Sequence, residues 1–183
     1  MRLIGEEGMN LPQFVERLAQ TLAIIGGIVL GVIITLTVVS VAGRAFVWAG
    51  LGPIPGDFEL VEALTGFAVF CFLPYCQLKR GHAIIDVLTK AMGPRLVRLI
   101  DALAEILMAF ALALIAWRLT LGALDKFGNH ETTFIREMPV WVLYGICVLP
   151  AWIAVLTALF TSGMAIKSVV IGRDILPEHQ GFE

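Results

Sequence analysis

The sequence predicts an all-α integral membrane protein with four transmembrane helices, and two observations lead to that class. Hydrophobic residues make up 58% of the 183 residues and charged residues only 15%, and the mean hydropathy is +0.89. A soluble domain carries more charge, typically about 25%. The charged residues also cluster between four long apolar runs. Because about 20 apolar residues in a helix cross a bilayer, we interpret residues 1–183 as one four-helix membrane domain.

The first apolar run contains no charge between Arg17 and Arg44. It predicts a span at about 18–43, which is too long for the apolar core of a cleaved signal peptide. The preceding residues alternate apolar and charged side chains behind an asparagine suited to a helix cap. They predict a short interfacial lead-in helix at about 10–17.

Three further apolar runs predict the remaining spans, at about 60–78, 102–124 and 139–166. The third span contains two charged residues, Glu105 and Arg118, which lie about 5 Å and 9 Å from its opposite ends at 1.5 Å per residue. Because both positions are shallow, we expect both side chains to extend outward toward the membrane surfaces.

The distribution of Lys and Arg predicts the orientation of the four spans. Nine of these residues fall on the side that holds both termini and the middle connection, and four fall on the other. The positive-inside rule therefore predicts cytoplasmic termini. On that side Lys79 and Arg80 are expected to contact lipid headgroups, and residues 83–93 predict an amphipathic interfacial helix. On the other side Trp48 and Trp141 fit an aromatic belt that anchors the protein in the membrane.

Several chemical functions are disfavoured by the sequence. His82 and Asp86 are four residues apart, but no third ligand or nucleophile is near them, so a structural contact is favoured over catalysis or metal binding. The three cysteines, Cys71, Cys76 and Cys147, lack zinc-site spacing. All histidines lie outside the spans, which disfavours a haem anchor. A net charge of −2 gives no basic surface for nucleic acid. We therefore expect no enzyme activity, no metal and no cofactor in this chain.

Two sets of residues are candidates for helix packing. Small residues at four-residue spacing in the first span permit close approach of another helix, from this chain or from a partner. Ionisable residues share one face at the start of the third span, where pairing among themselves or with a partner protein is favoured over a proton relay. The first set is Ala23, Gly27 and Gly31, and the second is Arg98, Asp101 and Glu105.

Two motifs, in the order of the predicted spans, resemble the DctQ-type family, the small membrane subunits of tripartite ATP-independent periplasmic (TRAP) transporters. The first follows the second span and consists of Arg80, Gly81, His82 and Asp86. The second leads into the fourth span and consists of Glu131, Thr132, Thr133, Pro139, Trp141 and Tyr144. Arg44 after the first span and the acidic Glu59 and Glu62 at the start of the second also agree with that family. The resemblance covers nearly the whole chain.

The resemblance implies a scaffold subunit in the bacterial inner membrane. In such transporters a large elevator-type membrane subunit holds the substrate and sodium sites. A periplasmic binding protein delivers an organic acid of the carboxylate, sialic acid or keto acid class. The resemblance thus implies sodium-coupled uptake with the large subunit, the binding protein and lipid as partners, and no substrate-binding residue in this chain.

Three other classes stay open on the sequence alone. A small subunit of a tripartite tricarboxylate transporter would accompany a different large subunit. A membrane anchor of a redox complex would show a haem absorption band or redox-active thiols. A stand-alone structural or small multidrug-type protein would self-associate and need no larger partner.

Overall fold

Four long helices form most of the protein. The computed structural model describes residues 10–79 and 94–171. All four helices are long and apolar enough to cross a membrane, which confirms the predicted all-α class with four spanning helices. They are α1 (Asn10–Ala45), α2 (Asp57–Leu78), α3 (Pro94–Asn129) and α4 (Val140–Ile171), with a short 3-10 helix at Val47–Ala49.

The helices are longer than the spans predicted from hydropathy. Because α1 runs without a break from Asn10 to Ala45, residues 10–17 form its first turns and are not a separate lead-in helix. Likewise α3 begins at Pro94 and ends at Asn129. Hydropathy locates the part of a helix that suits hydrocarbon, whereas the helix itself continues until its backbone pattern is broken. The predicted interfacial helix at 83–93 lies outside the described residues.

The helices pack in the order α1, α2, α4, α3. The largest interface joins α3 to α4, while α2 packs on α4 and α1 packs mainly on α2. The α3–α4 interface is built from alanines with two larger apolar side chains, and small residues let two helix backbones approach closely in a membrane. Its buried residues are Ala109, Leu112, Ala116, Ala151, Ala154, Val155 and Ala158.

Side-chain contacts identify which helix ends lie together. Glu59, near the start of α2, bonds to Ile135 in the α3–α4 connection. At the opposite end Lys79, just after α2, pairs with Glu16 of α1. We call these two ends the loop side and the terminal side. The terminal side is the one predicted from the Lys and Arg distribution to face the cytoplasm, and that orientation stays a prediction.

Large apolar side chains are exposed along α1 and α3. Examples are Ile24 and Ile34 on α1 and Leu107 and Phe110 on α3, each more than half exposed. In a bilayer such surfaces contact lipid tails or another membrane subunit. Because α1 and α3 are the first and last helices in the packing order, their exposed faces are open for contact with a partner.

Gly43 is required where α1 meets the connection to α2. A Cβ atom added at Gly43 would overlap the carbonyl oxygen of Gly52, which is backbone and cannot rotate away. We expect Gly43→Ala to lower the free energy of unfolding by about 1–3 kcal/mol, the usual cost of overpacking. Chemical unfolding in detergent micelles measures this difference.

Gly27→Ala is the matched control for that substitution. It lies in the same helix, and an added Cβ would meet nothing within 4 Å. Alanine is the better helix former, so the control is expected to unfold at the same denaturant concentration as the wild type or a higher one. Equal unfolding midpoints for Gly43→Ala and Gly27→Ala would contradict the proposed close contact.

Candidate functional site

Polar side chains gather in two clusters, one at each end of the helices. The loop-side cluster surrounds the start of α2 and the α3–α4 connection. The terminal-side cluster lies between α2, α3 and α4. The sequence-derived candidates divide between them.

Asp57 joins α1 to the start of α2 on the loop side. Ser40, fully buried in α1, donates a hydrogen bond to Asp57 Oδ2. The same oxygen lies 3.4 Å from Arg44 Nη2, and Asp57 Oδ1 accepts from the backbone N–H of Phe58 at 2.8 Å. A carboxylate in the first turn also complements the positive end of the helix dipole. Arg44 therefore has a structural role, which its position after the first span alone did not specify.

Glu59 holds the α3–α4 connection against α2. Its two carboxylate oxygens accept hydrogen bonds from the backbone N–H groups of Ile135, at 2.8 Å, and Arg136, at 3.1 Å. Arg136 Nε in turn donates to the carbonyl oxygen of Pro55 at 3.0 Å. The side chain of Arg136 also passes so close to Gly56 that an added Cβ would meet its Cγ at 2.6 Å. These contacts hold the connection against Glu59 in the first turn of α2 and against Pro55 and Gly56 just before that helix.

Within the connection, the residues of the second motif stabilise its shape. The N–H of Thr133 donates to the carbonyl of Met138 at 2.9 Å, and the N–H of Met138 donates back to Thr133 Oγ1 at 3.1 Å. Glu131 accepts twice, through its carbonyl from Val140 N–H at 2.9 Å and through its carboxylate from Lys126 Nζ at 2.6 Å. Thr132 forms an isolated β-bridge with Pro139.

The aromatic residues of the motif pack on the end of α3. The Trp141 ring meets the Phe127 ring edge-on at a centroid distance of 5.4 Å. The Tyr144 ring lies so near Gly122 that an added Cβ would be 3.2 Å away. These contacts assign both rings a packing role between α3 and α4.

Two further loop-side candidates are largely exposed. Trp48 is 82% exposed, as suits the membrane-anchoring role predicted for it. Glu62, one turn after Glu59, is also exposed on α2.

The terminal-side cluster contains a buried carboxylate. Glu105 Oε2 accepts from Gln77 Nε2 at 2.7 Å and from Thr161 Oγ1 at 2.9 Å. Gln77 Nε2 also lies 3.2 Å from Thr161 Oγ1, and Ser162 Oγ donates to the backbone carbonyl of Glu105 at 2.9 Å. Three helices are thus joined through one side chain.

This cluster corrects the expectation that Glu105 extends outward. Its exposed fraction is only 7%, because Gln77 and Thr161 supply donors inside the protein that replace contacts with water. The neighbouring candidates Arg98 and Asp101 are half-buried and also make polar or charge interactions. Sequence reasoning missed Gln77 and Thr161, each of which lies in an apolar run.

Lys79 pairs with other residues of this chain, and its predicted contact with lipid headgroups stays a prediction. Its Nζ lies 3.1 Å from Glu16 Oε1 of α1 and 5.8 Å from the centroid of the Tyr75 ring. The other members of the first motif, Arg80, Gly81, His82 and Asp86, lie outside the described residues.

The small-residue face of α1 points away from the rest of the chain. A Cβ added at Gly27 or Gly31 would meet nothing within 4 Å, and Ala23 is half-buried. The residue that makes the close contact inside the chain is Gly26, where an added Cβ would lie 3.1 Å from Cys71 Cβ. Packing within the chain therefore uses the neighbouring face, and the predicted stripe is available for contact with another molecule.

The sequence that forms this site also matches a known protein family. The chain matches the model of "Tripartite ATP-independent periplasmic transporters, DctQ component" over residues 33–169. The chain belongs to the DctQ family. The match includes both polar clusters and all of the second motif, and it favours this family over the other three classes considered from the sequence.

DctQ membership makes the chain a component of a tripartite transporter and a multi-pass membrane protein. The family is one of transporter components and not of enzymes. No curated protein and no solved structure matches the chain. In the described ranges of this DctQ-family chain, no group of three or more His, Cys, Asp or Glu residues is arranged to hold a metal ion.

Proposed function

We propose that this chain is the small permease subunit of a TRAP transporter in the bacterial inner membrane, where it forms a scaffold for a large elevator-type subunit. The complete transporter takes up an organic acid delivered by a periplasmic binding protein and uses a sodium gradient. The observation that carries the proposal is the family match over residues 33–169.

The placement of polar groups supports a scaffold role. Glu59 and Asp57 tie helices and connections together on the loop side, and Glu105 ties three helices on the terminal side. Broken helices near the middle of the membrane form the substrate sites of many secondary transporters, whereas each of these four helices is continuous. We assign the substrate and sodium sites to the large subunit and expect no cofactor in this chain.

The open face of α1 supports contact with that large subunit. Ala23, Gly27 and Gly31 are spaced so that their backbone can approach a neighbouring helix closely. The chain itself leaves the space around Gly27 and Gly31 unfilled. A helix of the large subunit packed there would use a surface that folding of this chain does not need.

The double substitution Gly27→Leu, Gly31→Leu tests this assignment. Since neither position has an atom within 4 Å of an added Cβ, the chain should fold and keep its own unfolding midpoint. Recovery of the large subunit with a tagged chain in mild detergent should fall about tenfold, which corresponds to about 1.4 kcal/mol of binding free energy.

A matched control adds the same bulk to another open position. Gly163→Leu in α4 also places its side chain where nothing lies within 4 Å, and we expect normal recovery of the large subunit. Full recovery with the α1 double variant would refute the assigned packing face. Absence of any large subunit from the wild-type preparation would refute the scaffold function itself.

A further inference from the structure

A groove of about 400 Å³ opens on the outer surface of α3 and α4. Aromatic and aliphatic side chains form nearly all of its wall. The exposed fractions of its two tryptophan residues, 63% for Trp117 and 42% for Trp152, show that the groove is accessible from outside the chain. Its lining residues are Phe110, Ala113, Leu114, Trp117, Arg118 and Trp152.

Arg118 supplies the single charge in this groove. Its side chain is exposed, and within residues 10–79 and 94–171 no carboxylate or other polar group pairs with it. The basic residues Arg44 and Lys126 on the loop side differ in this respect, because each has a carboxylate within 4 Å. Arg118 is thus a cation whose partner must come from another molecule.

The depth of Arg118 can be read from the helix contacts. Glu105 lies at the level of Gln77, the last residue but one of α2. The 22 residues of α2 measure about 33 Å, close to the roughly 30 Å thickness of the hydrocarbon layer. Arg118 follows Glu105 by 13 positions, or about 20 Å along the helix axis. It therefore lies about 10 Å inside the loop-side boundary of the hydrocarbon layer.

Depth alone favours the outward extension expected for Arg118, but the tilt of helix side chains opposes it. Side chains of a helix lean toward its N-terminus, and the N-terminus of α3 is on the terminal side. Arg118 consequently leans away from the nearer membrane surface and toward Leu114 and Phe110, which both line the groove. A guanidinium in hydrocarbon is costly unless it is paired.

We propose that this groove binds a transmembrane helix that places an Asp or Glu carboxylate against the Arg118 guanidinium and apolar side chains against Trp117 and Trp152. The inference rests on the proposed function, since the helix belongs to the large subunit. Charge complementarity identifies the occupant as acidic. A lipid phosphate fits less well because phosphates lie at the headgroup level, about 10 Å from Arg118, whereas a carboxylate on a helix can lie at this depth.

Substitutions at Arg118 in the complete transporter provide the first test. Arg118→Gln should reduce recovery of the large subunit about tenfold, and Arg118→Glu should reduce it further because like charges repel. Arg95→Gln, at an exposed position near the other end of α3, is the matched control and should have no effect. An unchanged unfolding midpoint of each isolated variant establishes that the chain still folds.

A cross-linking experiment identifies the occupant. A photoreactive benzoylphenylalanine in place of Leu114 is irradiated in native membranes, and the products are mapped by mass spectrometry. A cross-link to a large-subunit helix that carries Asp or Glu within two turns supports the proposal, as does recovery of the complex after the two charges are exchanged. Products with lipid only, with a second copy of this chain, or with a helix lacking an acid overturn it.

The two proposals fail in different ways. If the wild-type chain purifies without a large subunit, the proposed function fails and this inference fails with it. If the wild-type complex is intact and both Arg118 variants are recovered with as much large subunit as the Arg95→Gln control, the groove proposal alone is wrong.

Discussion

Glu105→Leu is expected to lower the free energy of unfolding of this protein by about 2 kcal/mol. The substitution removes the acceptor for Gln77 Nε2 and Thr161 Oγ1, both buried. A buried donor left without an acceptor costs about 1–3 kcal/mol, although hydrogen bonds between helices in membranes average only about 0.6 kcal/mol. Thr161 Oγ1 keeps the Ala158 carbonyl as an acceptor at 3.1 Å and still accepts one N–H of Gln77 at 3.2 Å. Most of the loss should therefore come from the other N–H of the Gln77 amide.

A double-mutant cycle separates this explanation from a simple loss of packing. The proposed cause of the loss is an unpaired amide N–H of Gln77. The double variant Gln77→Leu, Glu105→Leu should then be more stable than the sum of the two single effects implies, because no buried donor remains unpaired. Glu105→Gln keeps an acceptor oxygen at the same place and serves as the conservative control. Additive single effects in chemical unfolding would contradict the assigned network.

The number of helices and their apolar segments were predictable from the sequence. Hydropathy depends on composition over about 20 residues, so the four runs stand out without any knowledge of packing. Helix ends were less predictable. The capping signal indicated the start at Asn10, but at Asn129 the helix continues past the hydrocarbon-like segment, where hydropathy carries no signal.

The terminal-side cluster could have been found by comparing depths. Gln77, Glu105 and Thr161 each lie a few turns or less from the terminal-side end of their predicted spans, so polar groups at one level in three helices were visible. Their rotation about each helix axis was not, because that depends on which faces pack. Because the sequence does not show how α1 is rotated about its axis, it indicated the small-residue spacing at Gly27 but not the close contact at Gly26.

The second motif was recognised by resemblance before its role was known. Its spacing alone does not reveal that Glu59, more than 70 residues earlier, accepts the N–H groups of Ile135 and Arg136. Such a contact joins a side chain to backbone groups, and backbone groups have no sequence signature. Thr133 and Glu131 likewise act within the connection through contacts that only the folded chain defines.

Glu59→Ala is expected to release the α3–α4 connection and to reduce transport. The variant loses both acceptors for the N–H groups of Ile135 and Arg136, and hydrogen bonds to a charged group are stronger than those between neutral groups. Amide exchange at these two positions should accelerate about tenfold or more. We propose that the connection also helps to receive the periplasmic binding protein, so transport by the complete transporter should fall as well.

Glu62→Ala is the matched control, because Glu62 is an exposed carboxylate one turn away on the same helix. We expect it to leave both amide exchange and uptake unchanged. Glu59→Gln, which keeps an oxygen but loses the charge, should give an intermediate exchange rate. Faster exchange with normal uptake would restrict Glu59 to a structural role. Slow exchange in Glu59→Ala would contradict the proposed attachment of the connection to Glu59, since Glu59 is the acceptor of the Ile135 N–H in the described ranges.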